Sequence, residues 1–292
     1  KANTLFSYSI IGIILMIAGQ LCFAINDTIV KFEVKNIDNN YAIFNIIFIR
    51  GLFTTFFIIL YLTLFEKKNI LTIIKNRKYN LRGVYEVITA LFFFTGLVLM
   101  PVSLVYTLLM TNPFFVTIFA FILLREKVEF SNWLIFIPMI IGCMLIIKPN
   151  SEMFNPASIY AIISACSGAL AYTMIKSIGK EESAFSIIFW FTLFSSIIYF
   201  IIAIDDFIIL YNIEYLKLLF IGLFGVLGQI GLTSSYQLAK ASEVAPYSYF
   251  YIIFTGLFGF CLWNEVPDTS SIIGYLLIAI SYYYLNYFKR NK

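Results

Sequence analysis

FNIIFIRGLFTT at residues 44–55 and FSIIFWFTLFSS at residues 185–196 are one membrane-helix text written twice, 141 positions apart. Six of the twelve positions are identical: Phe44/Phe185, Ile46/Ile187, Ile47/Ile188, Phe48/Phe189, Leu52/Leu193 and Phe53/Phe194. The copies part at Arg50, which stands opposite Phe191. A duplicated membrane chain with a buried charge in only one copy reads as a transporter whose halves share a fold and differ in chemistry.

The rest of the chain agrees. Its 292 residues are 61% hydrophobic, 19% aromatic and 12% charged, whereas a soluble domain is about half apolar and about a quarter charged. The net charge of +4 is spread between the apolar runs, so it carries topology and is no nucleic-acid footprint. The absence of histidine removes imidazole metal ligands, general bases and proton relays, and neither a metal nor a cofactor is expected. Cys22, Cys143, Cys166 and Cys261 lie inside apolar runs without CxxC spacing and read as packing residues. The first apolar stretch is too long for a signal-peptide core and lacks an A-x-A site, so it reads as a membrane helix.

Crossing ~30 Å of hydrocarbon at ~1.5 Å per residue takes about 20 residues. Runs of that order fall at 7–31, 41–65, 82–100, 104–124, 131–147, 157–176, 184–204, 218–240, 244–263 and 270–288. The fold expected is therefore an all-α integral membrane protein of ten transmembrane helices. With ten spans the termini share a side. That side carries fifteen basic residues: Lys1, Lys67, Lys68, Lys75, Arg77, Lys78, Arg82, Arg125, Lys127, Lys176, Lys180, Lys240, Lys289, Arg290 and Lys292. The other carries four, Lys31, Lys35, Lys148 and Lys217. This bias predicts that both termini are cytoplasmic.

The duplication extends beyond one helix. At an offset of 139, residues 103–126 lie over 242–265 without a gap, with seven of 24 positions identical, including Glu126 and Glu265. At an offset of 145, Lys31 falls on Lys176. Two five-helix units, 1–148 and 149–292, follow from these alignments. Five is odd, so the second unit enters the membrane inverted, and a substrate site belongs near the midplane between the units.

Arg50 is nine residues into its span, or ~13 Å from the outer face at helical rise. A centred arginine costs about 2.5–3.5 kcal/mol on insertion scales, so it must meet a cavity or a partner. It is either a packing tether or an anion ligand and gating residue, and Asp27 or Glu86 is the acid it is expected to reach. Each acid also has a local alternative one turn away, Lys31 for Asp27 and Arg82 for Glu86. Neutral polar candidates at comparable depth are Asn26, Asn45, Asn112, Gln229 and Thr255. Gln229 lies in GVLGQIGLTSSYQ (225–237), whose glycines allow helices to approach closely. Pro113 and Pro246 interrupt the fourth and ninth spans. Tyr106, Tyr172, Trp190, Tyr247, Tyr249 and Tyr251 form either a cage for a cationic or planar solute or part of an interfacial belt. The belt claims Tyr282, Tyr283, Tyr284 and Tyr287 at the cytoplasmic end.

Four stretches now carry a resemblance: AINDTIVK (24–31), FIRGLF (48–53), LRGVYEVITALFFFTGLVLMPVSLVYTLLMTNPFF (81–115) and EVAPYSYFYIIFTGLFGFCLWNEVPD (243–268). The arginine in the second span, the proline ending the third, and A-P-x-x-Y followed by N-E-x-P-D resemble the EamA type of the drug/metabolite transporter superfamily. The resemblance implies a basket of two inverted five-helix repeats, a central cavity, alternating access and a bacterial inner-membrane location. It implies a small organic solute: an amino acid, amine or nucleoside-like metabolite, or S-adenosylmethionine taken up by exchange. The third span, VITALFFFTG (87–96), is less polar than in many relatives, which argues against a strongly hydrophilic cavity. No paired carboxylates at matched depth point to an enzyme, and Arg50 opposite Phe191 breaks the ring of like residues a channel would use. The partners expected are the solute and membrane lipid, with no nucleic acid; a homodimer stays open.

Overall fold

The computed structural model describes residues 2–34, 42–67, 70–100, 102–148, 156–179, 182–203 and 212–290, and the regular elements among them are all helical. Helices α1 (Ala2–Val34), α2 (Ala42–Leu64), short α3 (Ile70–Ile74), α4 (Arg77–Leu99), α5 (Val102–Leu109), α6 (Asn112–Leu123) and α7 (Phe130–Ile147) make the first half. The second half holds α8 (Ser158–Ile178), α9 (Ala184–Ala203), α10 (Asn212–Leu238), α11 (Ala241–Val244), a 3-10 turn (Ala245–Tyr249), α12 (Phe250–Trp263) and α13 (Thr269–Arg290). Lys1, Lys35, Lys68, Lys180 and Lys292 lie outside the described residues, as do the side chains of Asn45, Tyr287, Lys289 and Arg290.

Six helical stretches among the described residues are long and apolar enough to cross a bilayer: Tyr8–Lys31, Leu104–Leu123, Ser158–Ile178, Ala184–Ile201, Leu216–Leu238 and Ala241–Trp263. Phe48–Leu64 and Asn132–Ile147 are shorter apolar helices. The outer surface is apolar, with Ile14, Phe56, Ile122 and Leu276 all more than half exposed, while Arg82, Glu86 and Asn26 are buried inside. That distribution inverts a soluble protein and suits lipid. The chain is an all-helical, multi-pass membrane protein.

Two expected spans, 104–124 and 244–263, are each interrupted. The turn at Met110–Thr111 tightens, with the Thr111 N–H donating to Leu108 O at 3.1 Å, before Pro113 sits at the start of α6. In the second half Pro246 opens the 3-10 turn, which ends at Tyr249. A proline has no N–H to give the ladder, so it begins a helical segment more readily than it continues one. The prolines are not equivalent in the repeat, because the offset of 139 pairs Pro113 with Ile252, yet Met110 and Tyr249 do correspond. Both halves break at the same level by different residues.

The exits of these spans match in backbone detail. Arg125 and Asn264, again 139 apart, have left-handed φ of 54° and 53°. The following N–H groups, of Glu126 and Glu265, donate to Ala120 O (3.1 Å) and Gly259 O (3.2 Å). Each of these carbonyls also accepts a second N–H, from Leu124 (3.2 Å) and from Asn264, so the left-handed residue folds the chain back onto the last helical turn. NEVPD (264–268) is thus a stop followed by a start: Asn264 accepts the left-handed turn, and Asp268 caps α13 through the Ser271 N–H (3.2 Å) and hydroxyl (2.7 Å). Lys148 Nζ at 2.5 Å and the Ser271 hydroxyl hold the Asp268 carboxyl below the usual carboxylate range.

Helices pack in matched sets. α1 lies on α10 and α4 on α8, α2 pairs with α9 and α7 with α13, α10 touches α2 as α4 touches α9, and α6 meets α8 as α12 meets α1. Exchanging α1 with α8, α2 with α9, α4 with α10, α5–α6 with α11–α12 and α7 with α13 leaves this set unchanged. Where α1 crosses α10, Gly19 meets Gly231 so closely that a Cβ on Gly231 would stand 2.8 Å from Leu15 O and 2.9 Å from Gly19 Cα.

Two expectations are corrected. Tyr282 does not join the interfacial belt with the exposed Tyr283 and Tyr284: it is buried, its ring stacked on Tyr247 and its hydroxyl donating to Pro246 O at 2.8 Å. The cysteines are free thiols, but only Cys143 is fully buried and Cys261 is exposed.

Gly231→Ala places a methyl against the α1 backbone at Leu15 and Gly19, which can only be relieved by separating α1 from α10. A loss of about 1–3 kcal/mol is expected, as for other overpacked sites, read as a lowered melting temperature in detergent. An unchanged melting temperature would contradict the close crossing.

Candidate functional site

The two copies of the duplicated text face each other. α2 packs on α9 so tightly that a Cβ on Gly51 would lie 2.2 Å from Ser196 Oγ. Beside this contact opens a central cavity of about 370 Å³, lined by Arg50, Gly51 and Thr54 of α2 and by Phe191, Thr192 and Ser195, which stand at the matching positions of α9. The other walls are also matched. Glu86, Thr89 and Phe93 of α4 are answered 143 positions on by Gln229, Leu232 and Tyr236 of α10, and Asp27 of α1 is answered 145 positions on by Tyr172 of α8. Where the broken spans turn, Leu109 and Asn112 are answered by Ser248 and Tyr251.

Shape is shared and charge is not. Asp27, Arg50 and Glu86 all come from the first half, while the matching residues are Tyr172, Phe191 and Gln229. Each wall nevertheless has one arginine. On one side the fully buried Arg82 reaches Glu86 Oε1 at 2.9 Å through Nη2 and Ile187 O at 3.4 Å through Nη1, with its guanidinium carbon 5.2 Å from the Phe191 ring. On the other side Gly225 takes the position matching Arg82, and Arg50 takes the one matching Phe191.

The second wall is wired differently. Arg50 Nη1 donates to Asn26 Oδ1 at 3.1 Å, and Asn26 is held by its Nδ2 on Ile221 O at 2.5 Å. Asp27 Oδ2 accepts from the Tyr251 hydroxyl at 2.6 Å. The expected direct contact of Arg50 with Asp27 or Glu86 is not made. Arg82 claims Glu86, and Asn26 and Tyr251 each hold one charge of the other couple apart. Nor does Asp27 pair with Lys31, which reaches Glu265 at 2.8 Å and lies 4.2 Å over the Trp263 ring. Gln229 Oε1 is buried in the cavity wall with no hydrogen-bond partner among the described residues. One wall thus carries a closed ion pair and the other an opened one beside a free acceptor.

Of the residues singled out in the sequence, Asp27, Arg50, Glu86, Asn112, Gln229 and Tyr251 line the cavity, with Tyr106 and Tyr172. Asn112 Nδ2 is spent on Ala165 O at 2.8 Å. Asn26 stands behind the wall and orients Arg50. Trp190 lies off the lining, stacked on Phe194 at 4.0 Å and packed against Gly83, where a Cβ would meet its ring at 2.0 Å. Tyr247 is also off the lining, stacked on Tyr282 at 5.3 Å, and Thr255 returns its hydroxyl to Tyr251 O. Sequence reasoning passed over Gln20, Thr89, Ser164, Tyr199 and Tyr236 in the lining. The signal that finds two of them, Thr89 and Tyr236, is the offset of 143, which carries Glu86 onto Gln229 and with it Thr89 and Phe93 onto Leu232 and Tyr236.

The description of the EamA-like transporter family matches residues 10–148 and again residues 155–287. The S-adenosylmethionine uptake transporter of Rickettsia prowazekii is 23% identical over 281 residues, covering 96% of this chain and 94% of its own. The pseudopaline exporter CntI of Pseudomonas aeruginosa is 28% identical over 204 residues, 68% of this chain and 71% of its own. The riboflavin transporter of Vibrio cholerae is 28% identical over 187 residues, 63% and 62%. A solved crystal structure superposes with a TM-score of 0.77 over 98% of each chain at 12% identity, a likeness of fold.

Arg82→Met leaves the Glu86 carboxylate buried without its cation. Such a break costs about 3–5 kcal/mol, whereas replacing both partners by apolar groups is near neutral. A large drop in melting temperature is expected for Arg82→Met, with most of it recovered in Arg82→Met/Glu86→Leu. Equal melting temperatures for the single variant and the wild type would show that the pair is not what holds this wall.

Proposed function

Because this chain belongs to the EamA-like transporter family, we propose that it is a ten-span secondary carrier that moves a small zwitterionic solute of amino-acid type through the central cavity by alternating access. Residues 1–148 and 149–292 act as two inverted five-helix units, in a bacterial inner membrane with both termini cytoplasmic. The exchange-symmetric packing of the helices and the matched cavity walls support the two units, and the basic residues gathered on the terminal side support the orientation.

One observation carries the substrate class. Arg50 and Asp27 face the same cavity without a direct ion pair, their hydrogen bonds going to Asn26 and Tyr251 instead. A solute with a carboxylate and an ammonium completes that wall, the carboxylate on Arg50 and the ammonium on Asp27 with Tyr251. Charge-assisted bonds of this kind are the strong ones in a water-poor site. Gln229 Oε1 offers a further acceptor to a solute N–H or O–H. Arg82 and Glu86 make a direct ion pair, with Arg82 Nε left without a partner among the described residues, and the pair serves to hold α4 against α9. Tyr106, Tyr172, Tyr199 and Tyr236 leave room on the other walls for a planar group. S-adenosylmethionine, an α-amino acid joined to a nucleoside, has both features, and the uptake transporter that spans 96% of this chain makes it the first solute to test.

Reconstitution in proteoliposomes tests this directly. Saturable counterflow is expected with S-adenosylmethionine or an α-amino acid, and none with the matching amine or carboxylic acid alone. Arg50→Ala is expected to lower transport at least about tenfold, the loss of a charge-assisted bond. Tyr251→Phe frees one Asp27 oxygen and is expected to change half-saturation about five- to tenfold with a smaller effect on maximal rate. Normal transport by Arg50→Ala would remove Arg50 from the site.

A further inference from the structure

The end of the bundle where α1 begins is tied across its helices. Ser183 donates to Glu66, Tyr79 donates to Glu182, and Gln237 Nε2 donates to Gly179 O (2.7 Å) and Glu182 O (2.8 Å). The most complete tie is Glu126, just past α6. Its carboxylate accepts from the Ala241 N–H (2.9 Å), the Ser242 N–H (3.0 Å) and the Ser242 hydroxyl (2.6 Å). Beside it Lys176 Nζ donates to Gln237 O at 3.3 Å.

At the opposite end the matching residues are arranged otherwise. Glu265 sits on the same left-handed turn as Glu126, 139 positions later, yet it is about half exposed and holds Lys31 at 2.8 Å. Lys31 is the residue that matches Lys176 at the offset of 145. One glutamate therefore grips backbone and a serine across the bundle, and its counterpart grips a lysine. The offset of 139 also names what Glu265 would grip in the first arrangement. Ser242 falls on Ser103, and both lie in S-x-V: Ser103-Leu104-Val105 and Ser242-Glu243-Val244.

We infer that Glu126 and Glu265 are alternating latches of the two ends. In the conformer described here Glu126 closes one end on Ala241 and Ser242, while Glu265 rests on Lys31. In the opposite conformer Glu126 moves to Lys176, and Glu265 leaves Lys31 and closes the other end on Val102 and Ser103. This rests on the alternating-access reading above. A carboxylate on two N–H groups and a hydroxyl is a strong charge-assisted set, whereas an exposed lysine–glutamate pair contributes little in water. Each transition exchanges one of each, so the two conformers stay near balance. A solute with a modest preference for one then suffices to move the population.

Hydrogen–deuterium exchange on the full chain in lipid nanodiscs tests the latches without a solute. Glu126→Gln is expected to raise exchange at 241–245 about tenfold, the effect of losing a charge-assisted bond, and to lower it at 102–106. Glu265→Gln is expected to do the reverse. Ser103→Ala, a change too small to disturb folding, must follow Glu265→Gln in direction. Exchange unchanged in Glu265→Gln and Ser103→Ala, or raised at both ends together by Glu126→Gln, would overturn the latches. If the wild type shows saturable counterflow while these variants leave exchange flat, the latches fail and the carrier stands; a wild type without counterflow overturns both.

Discussion

A charge inside a bilayer has to be answered by another polar group, and the interior of this protein is organised around that requirement. Arg82, with no exposed surface, spends its guanidinium on Glu86, on the Ile187 carbonyl and against the Phe191 ring. That couples α4 to α9 and fixes one wall of the cavity. The hydrogen bonds joining Thr89 to Ser167 and Ser164 to Thr89 O stitch the same helix to α8. With Glu86 paired to Arg82 on that wall, the other two charged residues facing the cavity are Asp27 and Arg50. Asp27 and Arg50 make no direct ion pair, because Tyr251 and Asn26, both neutral, carry the hydrogen bonds.

The comparison of matched positions gives this economy a simple form. Along α4 and α9 the two halves place arginine and phenylalanine in contact. Along α10 and α2 the matching positions are glycine and arginine. Each wall needs one large cation, and the small or aromatic residue opposite makes room for it. The acids do not follow the same exchange, since Glu86 is matched by Gln229 and Asp27 by Tyr172. A wall that keeps its arginine but replaces the adjacent carboxylate by an amide leaves a polar oxygen without a partner, and that is Gln229 Oε1.

Much of this was legible before any coordinates. The duplicated text around Arg50 gave the repeat and its charged mismatch with Phe191; that the two copies pack on each other came from the structure. Length and hydropathy placed ten spans, of which six are helices long and apolar enough to cross a bilayer among the described residues and two more are shorter apolar helices. The partners of Arg50 were not legible. Helical spacing offers Asp27–Lys31 and Glu86–Arg82 equally, and only the second pair forms, because Glu265, 234 residues away from Lys31, draws that lysine off. Trp190 and Tyr247 illustrate the same limit: an aromatic beside a polar segment can point to a cavity or into a helix crossing, and the Gly83 contact decides Trp190 by shape alone. Membership of the EamA-like family was legible in the motifs, and the family description matches both halves.

The breaks in the two interrupted spans have a consequence for how the halves have been free to drift. Pro113 and Pro246 stand at different positions of the alignment, yet the helical run is interrupted at corresponding residues, Met110 and Tyr249. What the two halves hold in common there is the alignment position of the break, reached through a proline at a different place in each. A proline lost from one half can therefore be compensated by one gained a turn away, so a residue-by-residue comparison of the halves would score as divergence what is mechanically the same joint.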